Sequence, residues 1–200
     1  VYDYRLTGKE TLSIETKSGI RNMHLHIQDG KACGARVDMG VPRLNAHSIP
    51  ILSEKDLVIN DPIEVQKKNY RMTGISMGNP HAVIFSEEIN GISLEETGRE
   101  LEFHPRFPER ANIEFCHVTA RDRMEIRVWE RGVGETLACG TGMTASALLH
   151  AVLTDAPSPI QVDVAGGDTL KVGFQRTGDR FTSVTLTGPA DLVFTGDIEL

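Results

Sequence analysis

Apolar and polar residues alternate along most of the chain, a pattern typical of strands that bury one face. The alternating segments are TLSIETK, NMHLHIQ, KACGARVDMG, LVIN, RMTGISMG, AVIFSE, NIEFCHV, MEIRVWE, IQVDVA, TLKVGF, TSVTLTG and ADLVFTG. Turn residues at Ser18-Gly19 and Asp29-Gly30 separate the first three of them. The pattern therefore predicts a protein built mainly from β-strands.

Helical spacing is strong in only two segments. In SLEETGREL, residues 93–101, Ser93 occupies the N-cap position and a glutamate follows three residues later, as in a capping box. The segment TGMTASALLHAVL, residues 141–153, is rich in Ala and Leu. The opening VYDYRLTG is typical of the last turns of a helix, with Gly8 as a left-handed cap. Strands with few helices predict an α/β (α+β) fold.

The chain contains a weak internal repeat. Residues 12–27 resemble residues 159–174, since both read strand, glycine turn, strand. Residues 34–42 resemble residues 182–190, since both are alternating strands that end in Gly near a Pro. The repeat suggests that the chain has two halves of similar structure. Because the identity is low, a chance similarity between two β-meanders is about as good an explanation.

The repeat also makes an expectation about one cysteine. Aligning Gly19 with Gly167 places a counterpart of Cys139 roughly nine residues before Val1, if the two copies are equally spaced. We therefore expect a partner cysteine upstream, and expect the 200-residue chain alone to be inactive and weakly stable.

Composition narrows the class of protein. The chain has 200 residues, with 24% charged and 40% hydrophobic residues, as in an ordinary globular protein. Its net charge of −7 argues against nucleic acid as the main partner. No run of about 18 apolar residues is present, so we expect no membrane partner. Three cysteines, without a CxxC pair, favour free thiols in the cytoplasm.

Cofactor motifs are also missing from the sequence. No HxxxH or CxxC pair points to a zinc site, and no GxGxxG follows a predicted strand. A site built from distant residues would leave no such motif. We therefore expect neither a metal nor a dinucleotide cofactor, although a site built from residues distant in sequence stays open as the alternative.

The strongest chemical motif is ERGVGETLACGTG, residues 130–142. Cys139 stands where a loop enters the Ala-rich helix, and unpaired N–H groups at a helix start attract anions. A thiol there is expected to have a pKa below its ordinary value of about 8.5. Gly140 and Gly142 let a ligand approach the backbone, which can hold a carboxylate. A thiolate beside a carboxylate cradle suits removal of an amino acid's α-proton, and a buried structural cysteine is the alternative.

The other candidate residues are weaker. Cys33 and Cys116 lie inside alternating strands without flanking glycines, so we expect both to be structural. In the loop 78–81, GNPH, a histidine could orient or deprotonate a thiol, although GNP is a common turn. Glu130-Arg131 offers a base and a carboxylate fork, or simply an exposed ion pair.

Five segments together resemble diaminopimelate epimerase, and the resemblance covers nearly the whole chain. They are RVDMGVP (36–42), SMGNPHAVIF (76–85), RFPERANIEF (106–115), RVWERGVGETLACGTG (127–142) and LTGPADLVFTG (186–196). The first and fourth are highly specific in combination, whereas GNPH alone is not.

The resemblance implies two pseudo-symmetric domains, each a β-barrel-like mixed sheet around a central helix. Residues 1–39 would be the remainder of the first domain, and residues 40–188 the second domain with Cys139. Residues 189–200 would return as a strand to the first domain. The first half of the family carries a similar Cys-Gly-x-Gly, which this chain lacks.

The resemblance also implies a role for each candidate residue. Cys139 would be one acid–base group, with His81 and Glu130 tuning the thiols. Gly140 and Thr141 would bind the reacting carboxylate. The distal end of the substrate would be held by Asn79, Asn112 and Arg131. Glu130 is also expected among the substrate-binding residues.

The implied activity is interconversion of LL- and meso-diaminopimelate, in lysine and peptidoglycan precursor biosynthesis. One thiolate would take the α-proton and the opposite thiol would return one, without pyridoxal phosphate or metal. The implied partner is the small-molecule substrate, and the implied assembly is a cytoplasmic homodimer.

Other readings of the sequence stay open. Proline racemase-like enzymes share a Cys-Gly-Thr-Gly, but the long ERGxGET lead favours diaminopimelate. Phenazine-biosynthesis isomerase-like proteins usually lack the cysteine. A non-catalytic fragment or binding module is the alternative from another class, and substrate turnover would separate it from an enzyme.

Overall fold

The structure is a computed structural model that describes residues 1–16, 19–178 and 180–197. Within these residues it contains twelve strands, two α-helices and one short 3-10 helix, Ala46–Ser48. The strands are β1 (Thr11–Thr16), β2 (Gly19–Gln28), β3 (Lys31–Asp38), β4 (Asp61–Val65), β5 (Lys68–Ser76), β6 (Pro80–Phe85), β7 (Asn112–Ala120), β8 (Arg123–Glu130), β9 (Gly134–Thr136), β10 (Ile160–Val164), β11 (Thr169–Thr177) and β12 (Arg180–Pro189). The helices are α1 (Leu94–Glu102) and α2 (Gly140–Thr154).

The described strands form one mixed sheet. Its order is β1-β2-β3-β12-β11-β10-β8-β7-β6-β5-β4, and β9 pairs with β8 outside this path. Strands β6 and β7 pair in parallel, as do β8 and β10, whereas the other neighbours are antiparallel. The predicted sheet-dominated α+β fold is therefore confirmed.

Helix α2 lies inside the curve of the sheet and contacts strands β5 to β8 and β10 to β12. Residues 142–151 are all buried, which explains why the helix has apolar residues on every side. Met143, Leu148 and Leu149 are among the largest fully or almost fully buried side chains. This arrangement matches the expected sheet around a central helix. In the described part of the chain, no helix is long and apolar enough to cross a membrane.

Strands β6 and β7 separate two hydrophobic cores. Val83 and Cys116 face the core around α2, whereas Ile84 and Phe115 face a second core that includes Leu94 of α1. Because side chains alternate between the faces of a strand, a strand between two cores is apolar at nearly every position. This explains the continuous burial of residues 112–116.

Helix α1 begins where the sequence predicts, with Ser93 as its N-cap residue. The Ser93 side chain makes no capping hydrogen bond, so the predicted capping box is not formed. Gly98 lets the helix approach β8 closely, because a Cβ at this position would lie 2.8 Å from two atoms of the Trp129 side chain. The helix is thereby fixed against the strand that leads to Glu130.

The predicted helix at the start of the chain is wrong. Residues 1–6 form turns, in which the N–H groups of Arg5 and Leu6 donate to the carbonyls of Tyr2 and Val1. Gly8 is not among the residues with positive φ, so it is not a left-handed cap. Seven residues are too few to form a stable helix without packing partners.

The turn predictions have different outcomes. Asp29 and Gly30 both have positive φ, at 50° and 74°, and connect β2 to β3 as predicted. Ser18, of the other predicted turn, lies outside the described residues. Gly19, with φ of 97°, begins β2.

Two predicted strands are absent. Residues 57–60 contain only an isolated bridge from Leu57 to Asn45, and β4 instead begins at Asp61. The alternation missed β4 because Pro62 disfavours a strand interior, and β4 is an edge strand, where proline is tolerated. Residues 190–197, which include ADLVFTG, are in no strand.

The second of these absences has a simple physical cause. Leu192, Val193 and Phe194 are 70%, 89% and 83% exposed, so this apolar stretch is not paired or packed. Strand β12, which precedes it, already pairs with β11 on one side and β3 on the other. Both sides of β12 are therefore occupied where the segment begins, and the free edges of the described sheet lie at β1 and β4. Alternation alone does not bring the segment to either edge.

Candidate functional site

Cys139 is the N-cap residue of α2, as the sequence predicts. Its backbone is extended, with φ of −130° and ψ of 110°, and its carbonyl accepts the N–H of Met143 at 2.9 Å. The side chain is only 6% exposed, and its Sγ lies 3.5 Å from Thr141 Oγ1. The thiol therefore lies beside the first turn of the helix, where the Gly142 amide hydrogen-bonds the sulfur.

The expected lowering of the Cys139 pKa is wrong. Burial raises the pKa of the thiol to about 11, and the carboxylates of Glu114 and Glu130 add to this effect. Hydrogen bonds from the Thr141 side chain and the Gly142 amide act in the opposite direction. The helix start is thus outweighed by burial and two negative charges, and Cys139 is a thiol at neutral pH.

His81 does not contact the thiol directly. It is fully buried on β6, and its Nδ1 lies 2.6 Å from Glu114 Oε1 on the neighbouring strand β7. Its Nε2 lies 3.0 Å from Asn79 Oδ1, and Asn79 Nδ2 lies 3.3 Å from Thr141 Oγ1. Among the described residues, the hydrogen-bond path from His81 to Cys139 runs through Asn79 and Thr141.

Glu114 is the site residue that the sequence analysis missed. It is fully buried, and burial raises the pKa of its carboxyl group, whereas His81 lowers it. The available signal was its spacing from Asn112, because residues two apart on a strand share one face. Two polar residues on one face of the otherwise apolar stretch 112–116 indicate that this face does more than pack against the core.

The glycine at position 142 has a structural use that differs from the predicted one. A Cβ there would lie 2.7 Å from Glu114 Oε1, so only glycine lets the first turn of α2 rest against this carboxylate. Gly142 therefore makes room for a buried side chain of the protein itself.

Glu130 is the last residue of β8 and Arg131 follows it, and each has a different partner. Glu130 Oε1 accepts from Thr136 Oγ1 at 2.5 Å. The exposed Arg131 donates from Nη1 to the carbonyl of Glu109 at 2.8 Å. Its guanidinium thus lies at the surface, and its position is fixed by the backbone of the loop before β7.

Asn112 connects two of the predicted site segments. Its Oδ1 accepts the backbone N–H of Arg131 at 2.9 Å, and its Nδ2 donates to the carbonyl of Pro80 at 3.2 Å. The side chain is almost completely buried, at 4% exposure. Asn112 therefore holds the GNPH loop and the Glu130-Arg131 loop at a fixed spacing.

The other two cysteines differ from each other. Cys116 is buried in the core around α2, and burial raises the pKa of its thiol. Cys33 is exposed on β3, where its Sγ lies 3.3 Å from the carbonyl of His26, so it is not a buried core residue. Among residues 1–16, 19–178 and 180–197, no group of three His, Cys, Asp or Glu side chains is arranged to hold a metal ion.

Comparisons with known sequences agree on one family. The family described as Diaminopimelate epimerase matches residues 73–193. Proteins named diaminopimelate epimerase from Acetivibrio thermocellus and Moorella thermoacetica are 40% and 41% identical over 200 residues, which is all of this chain and 70% of each relative. One from Methanococcus maripaludis is 41% identical over 204 residues.

Solved structures show the same fold at much lower identity. A probable proline racemase from Agrobacterium radiobacter is 15% identical, with a TM-score of 0.66 over 90% of this chain and 57% of that protein. A hydroxyproline epimerase from Agrobacterium vitis is 14% identical, with a TM-score of 0.65 over 93% and 58%. These two likenesses concern the fold alone.

Proposed function

Because this chain belongs to the diaminopimelate epimerase family, we propose that it interconverts LL- and meso-diaminopimelate, with Cys139 moving the α-proton. The observation that carries the proposal is the position of Cys139 at the start of α2. The amides of Gly140 and Thr141 precede the first intrahelical bonds and are available to a carboxylate. An α-carboxylate bound there brings the α-carbon next to the sulfur.

The proposed reaction uses the substrate's own charge. Glu114 and Glu130 raise the pKa of the Cys139 thiol, together with burial. The α-ammonium group of an amino acid brings a positive charge close to the same sulfur, and an opposite charge favours the thiolate. Substrate binding therefore lowers the proton affinity of Cys139 at the moment when a base is needed.

Inversion requires a second acid–base group on the opposite face of the α-carbon. We assign this role to neither of the other two cysteines of the chain. Cys116 lies in the core on β7, and Cys33 is exposed and contacts the carbonyl of His26. Among the described residues, we therefore assign the acid–base role to Cys139, which acts on one face of the α-carbon.

The distal end of the substrate is assigned to Asn79, Asn112 and Arg131. Diaminopimelate carries a second carboxylate, which an arginine fork can bind with two hydrogen bonds. The exposed guanidinium of Arg131 is fixed by Glu109, and its backbone by Asn112. We also propose that Glu130 and His81 tune the site, His81 through Asn79.

The biological setting is part of the proposal. We place the activity in lysine and peptidoglycan precursor biosynthesis, in the cytoplasm, and in a homodimer. Three free cysteines suit a reducing compartment. Residues 1–39 are assigned to a first domain, residues 40–188 to a second, and residues 189–200 to a return to the first.

Calorimetric titration tests the substrate class most simply. We expect meso-diaminopimelate to bind, and lysine, which lacks the distal carboxylate, to bind at least about tenfold more weakly. Proline is the control for the racemase alternative. Tighter binding of proline than of diaminopimelate would overturn the proposal in favour of that alternative.

A further inference from the structure

Five polar side chains form a continuous chain of contacts that ends at the thiol. Glu114 Oε1 lies 2.6 Å from His81 Nδ1, and His81 Nε2 lies 3.0 Å from Asn79 Oδ1. Asn79 Nδ2 lies 3.3 Å from Thr141 Oγ1, which lies 3.5 Å from Cys139 Sγ. These contacts run from the paired strands β6 and β7, which carry His81 and Glu114, to the start of α2.

The direction of the hydrogen bonds in this chain decides what the sulfur receives. When Nε2 of His81 carries a hydrogen, it donates to Asn79 Oδ1, and the amide group of Asn79 then donates to Thr141. A Thr141 hydroxyl that accepts from Asn79 has its own hydrogen available for the sulfur. When Nε2 lacks a hydrogen, the Asn79 amide turns round, and Thr141 donates to Asn79 instead.

We propose that Glu114 is a positioning residue for Cys139, because it holds His81 in the form that donates from Nε2 and so directs the Thr141 hydroxyl toward the sulfur. This inference deepens the proposed function and rests on Cys139 as its acid–base group. A hydrogen bond donated to sulfur stabilises the thiolate, which is the form that removes a proton.

The surroundings of Glu114 support this role. The carboxyl group is completely buried, and within the described residues its Oε2 has no hydrogen-bond partner. Gly142 leaves space for it, and its Oε1 lies 2.6 Å from His81 Nδ1. Asn79 Oδ1 can only accept, so its contact with Nε2 requires the hydrogen of His81 on Nε2 and leaves Nδ1 to accept. Burial raises the pKa of Glu114, which favours the protonated carboxyl group that donates to Nδ1.

The negative charge of Glu114, taken alone, would disfavour the Cys139 thiolate, which is opposite to the effect that we propose. The charged groups that act on Cys139 are Glu114 and Glu130, and both raise its pKa. The charged groups that act on Glu114 are His81 and Glu130. If Glu114 acted only through its negative charge, its removal would favour the thiolate. The two accounts therefore differ in sign.

The test is the rate at which iodoacetamide alkylates Cys139 in the folded protein, measured by mass spectrometry. The pH is held near 8.5, which is about the pKa of an ordinary cysteine. In Glu114→Leu we expect alkylation to slow by roughly tenfold, the effect of losing one charge-assisted hydrogen bond. In Glu114→Gln we expect a rate near that of the wild type, because the Gln amide can donate to Nδ1 and leave the hydrogen on Nε2.

Controls separate this effect from general changes. Cys33, which is exposed, is the internal reference, and its rate should not change. Glu64→Gln removes one exposed carboxylate on β4 and should leave the Cys139 rate unchanged. Faster or unchanged alkylation in Glu114→Leu would overturn the proposal, as would equal slowing in Glu114→Gln and Glu114→Leu.

A second variant keeps the test valid if Glu114→Leu does not fold. Asn79→Ala breaks the series of contacts in a loop and keeps both Glu114 and His81, although His81 Nε2 loses its acceptor. It should slow alkylation of Cys139 to a similar extent. An unchanged rate in Asn79→Ala would overturn the proposal. The assay contains no diaminopimelate, so failure of the proposed substrate and failure of this inference give separate results.

Discussion

The carboxylate of Glu102, the last residue of α1, accepts the backbone N–H of Gly132 at 2.9 Å. Its other oxygen accepts from Trp129 Nε1 at 2.8 Å, and the side chain is almost fully buried. One carboxylate therefore ties the helix to the loop that carries Glu130 and Arg131. Helix α1, far from the thiol in sequence, helps to position two proposed site residues.

The first prediction concerns this contact. Glu102→Ala should lower the free energy of unfolding by about 1–3 kcal/mol, because two partly buried hydrogen bonds to a charged group are lost. Urea unfolding followed by circular dichroism measures the change. Glu96→Ala, at an exposed position of the same helix, should cost less than about 0.5 kcal/mol. Equal effects of the two substitutions would show that the Glu102 contacts contribute nothing.

A second prediction concerns the close contact between α1 and β8. Gly98→Ala should destabilise the protein by roughly 1–3 kcal/mol, although alanine is the better helix former, because its Cβ would lie 2.8 Å from the Trp129 side chain. Equilibrium unfolding of Gly98→Ala in the wild-type and Trp129→Ala backgrounds measures the coupling, because Trp129→Ala removes Cγ and Cδ2 from the contact and keeps only Cβ. The penalty should shrink in the second background, and a penalty of equal size there would refute the steric explanation.

The raised pKa of Cys139 predicts how stability depends on pH. The thiol ionises at about 11 in the folded protein, whereas an unfolded cysteine ionises near 8.5. Between these values the folded state binds more protons, so the Cys139 contribution is complete below the unfolded pKa and is lost as pH rises through the folded one. Unfolding free energies across this range should fall less steeply in Cys139→Ala than in the wild type. Parallel pH profiles would contradict the raised value.

The role of Arg131 in substrate choice gives a fourth prediction. Arg131→Lys should weaken binding of diaminopimelate by on the order of 1–3 kcal/mol, because lysine cannot form the two-bond fork with a carboxylate. Calorimetric titration measures this loss. Arg99→Lys, which makes the same exchange at an exposed position of α1, is the control and should bind normally. Unweakened binding by Arg131→Lys would remove Arg131 from the substrate site.

The sequence predicted those features of the site that are set by residues adjacent in the chain. Cys139 begins α2 as its flanking sequence indicates, and most strands follow from alternation. The Cys139 pKa could not be predicted in this way, because it depends on burial by α2 and on Glu114 from β7. The pairing of His81 with Glu114 depends on the parallel register of β6 and β7, which no local pattern contains.

Isotope exchange at the α-carbon tests the central claim most directly. Diaminopimelate is incubated with the protein in deuterium oxide, and deuterium at the α-carbon is followed by mass spectrometry and proton resonance. Deuterium reports proton removal whichever face later receives the proton. Exchange needs an acid–base group on one face only, whereas inversion needs one on each face. The account therefore predicts incorporation above the solvent background by the wild-type chain, whether or not the product is inverted, and a loss of on the order of a hundredfold or more in Cys139→Ala. Equal incorporation by Cys139→Ala and the wild type would contradict it.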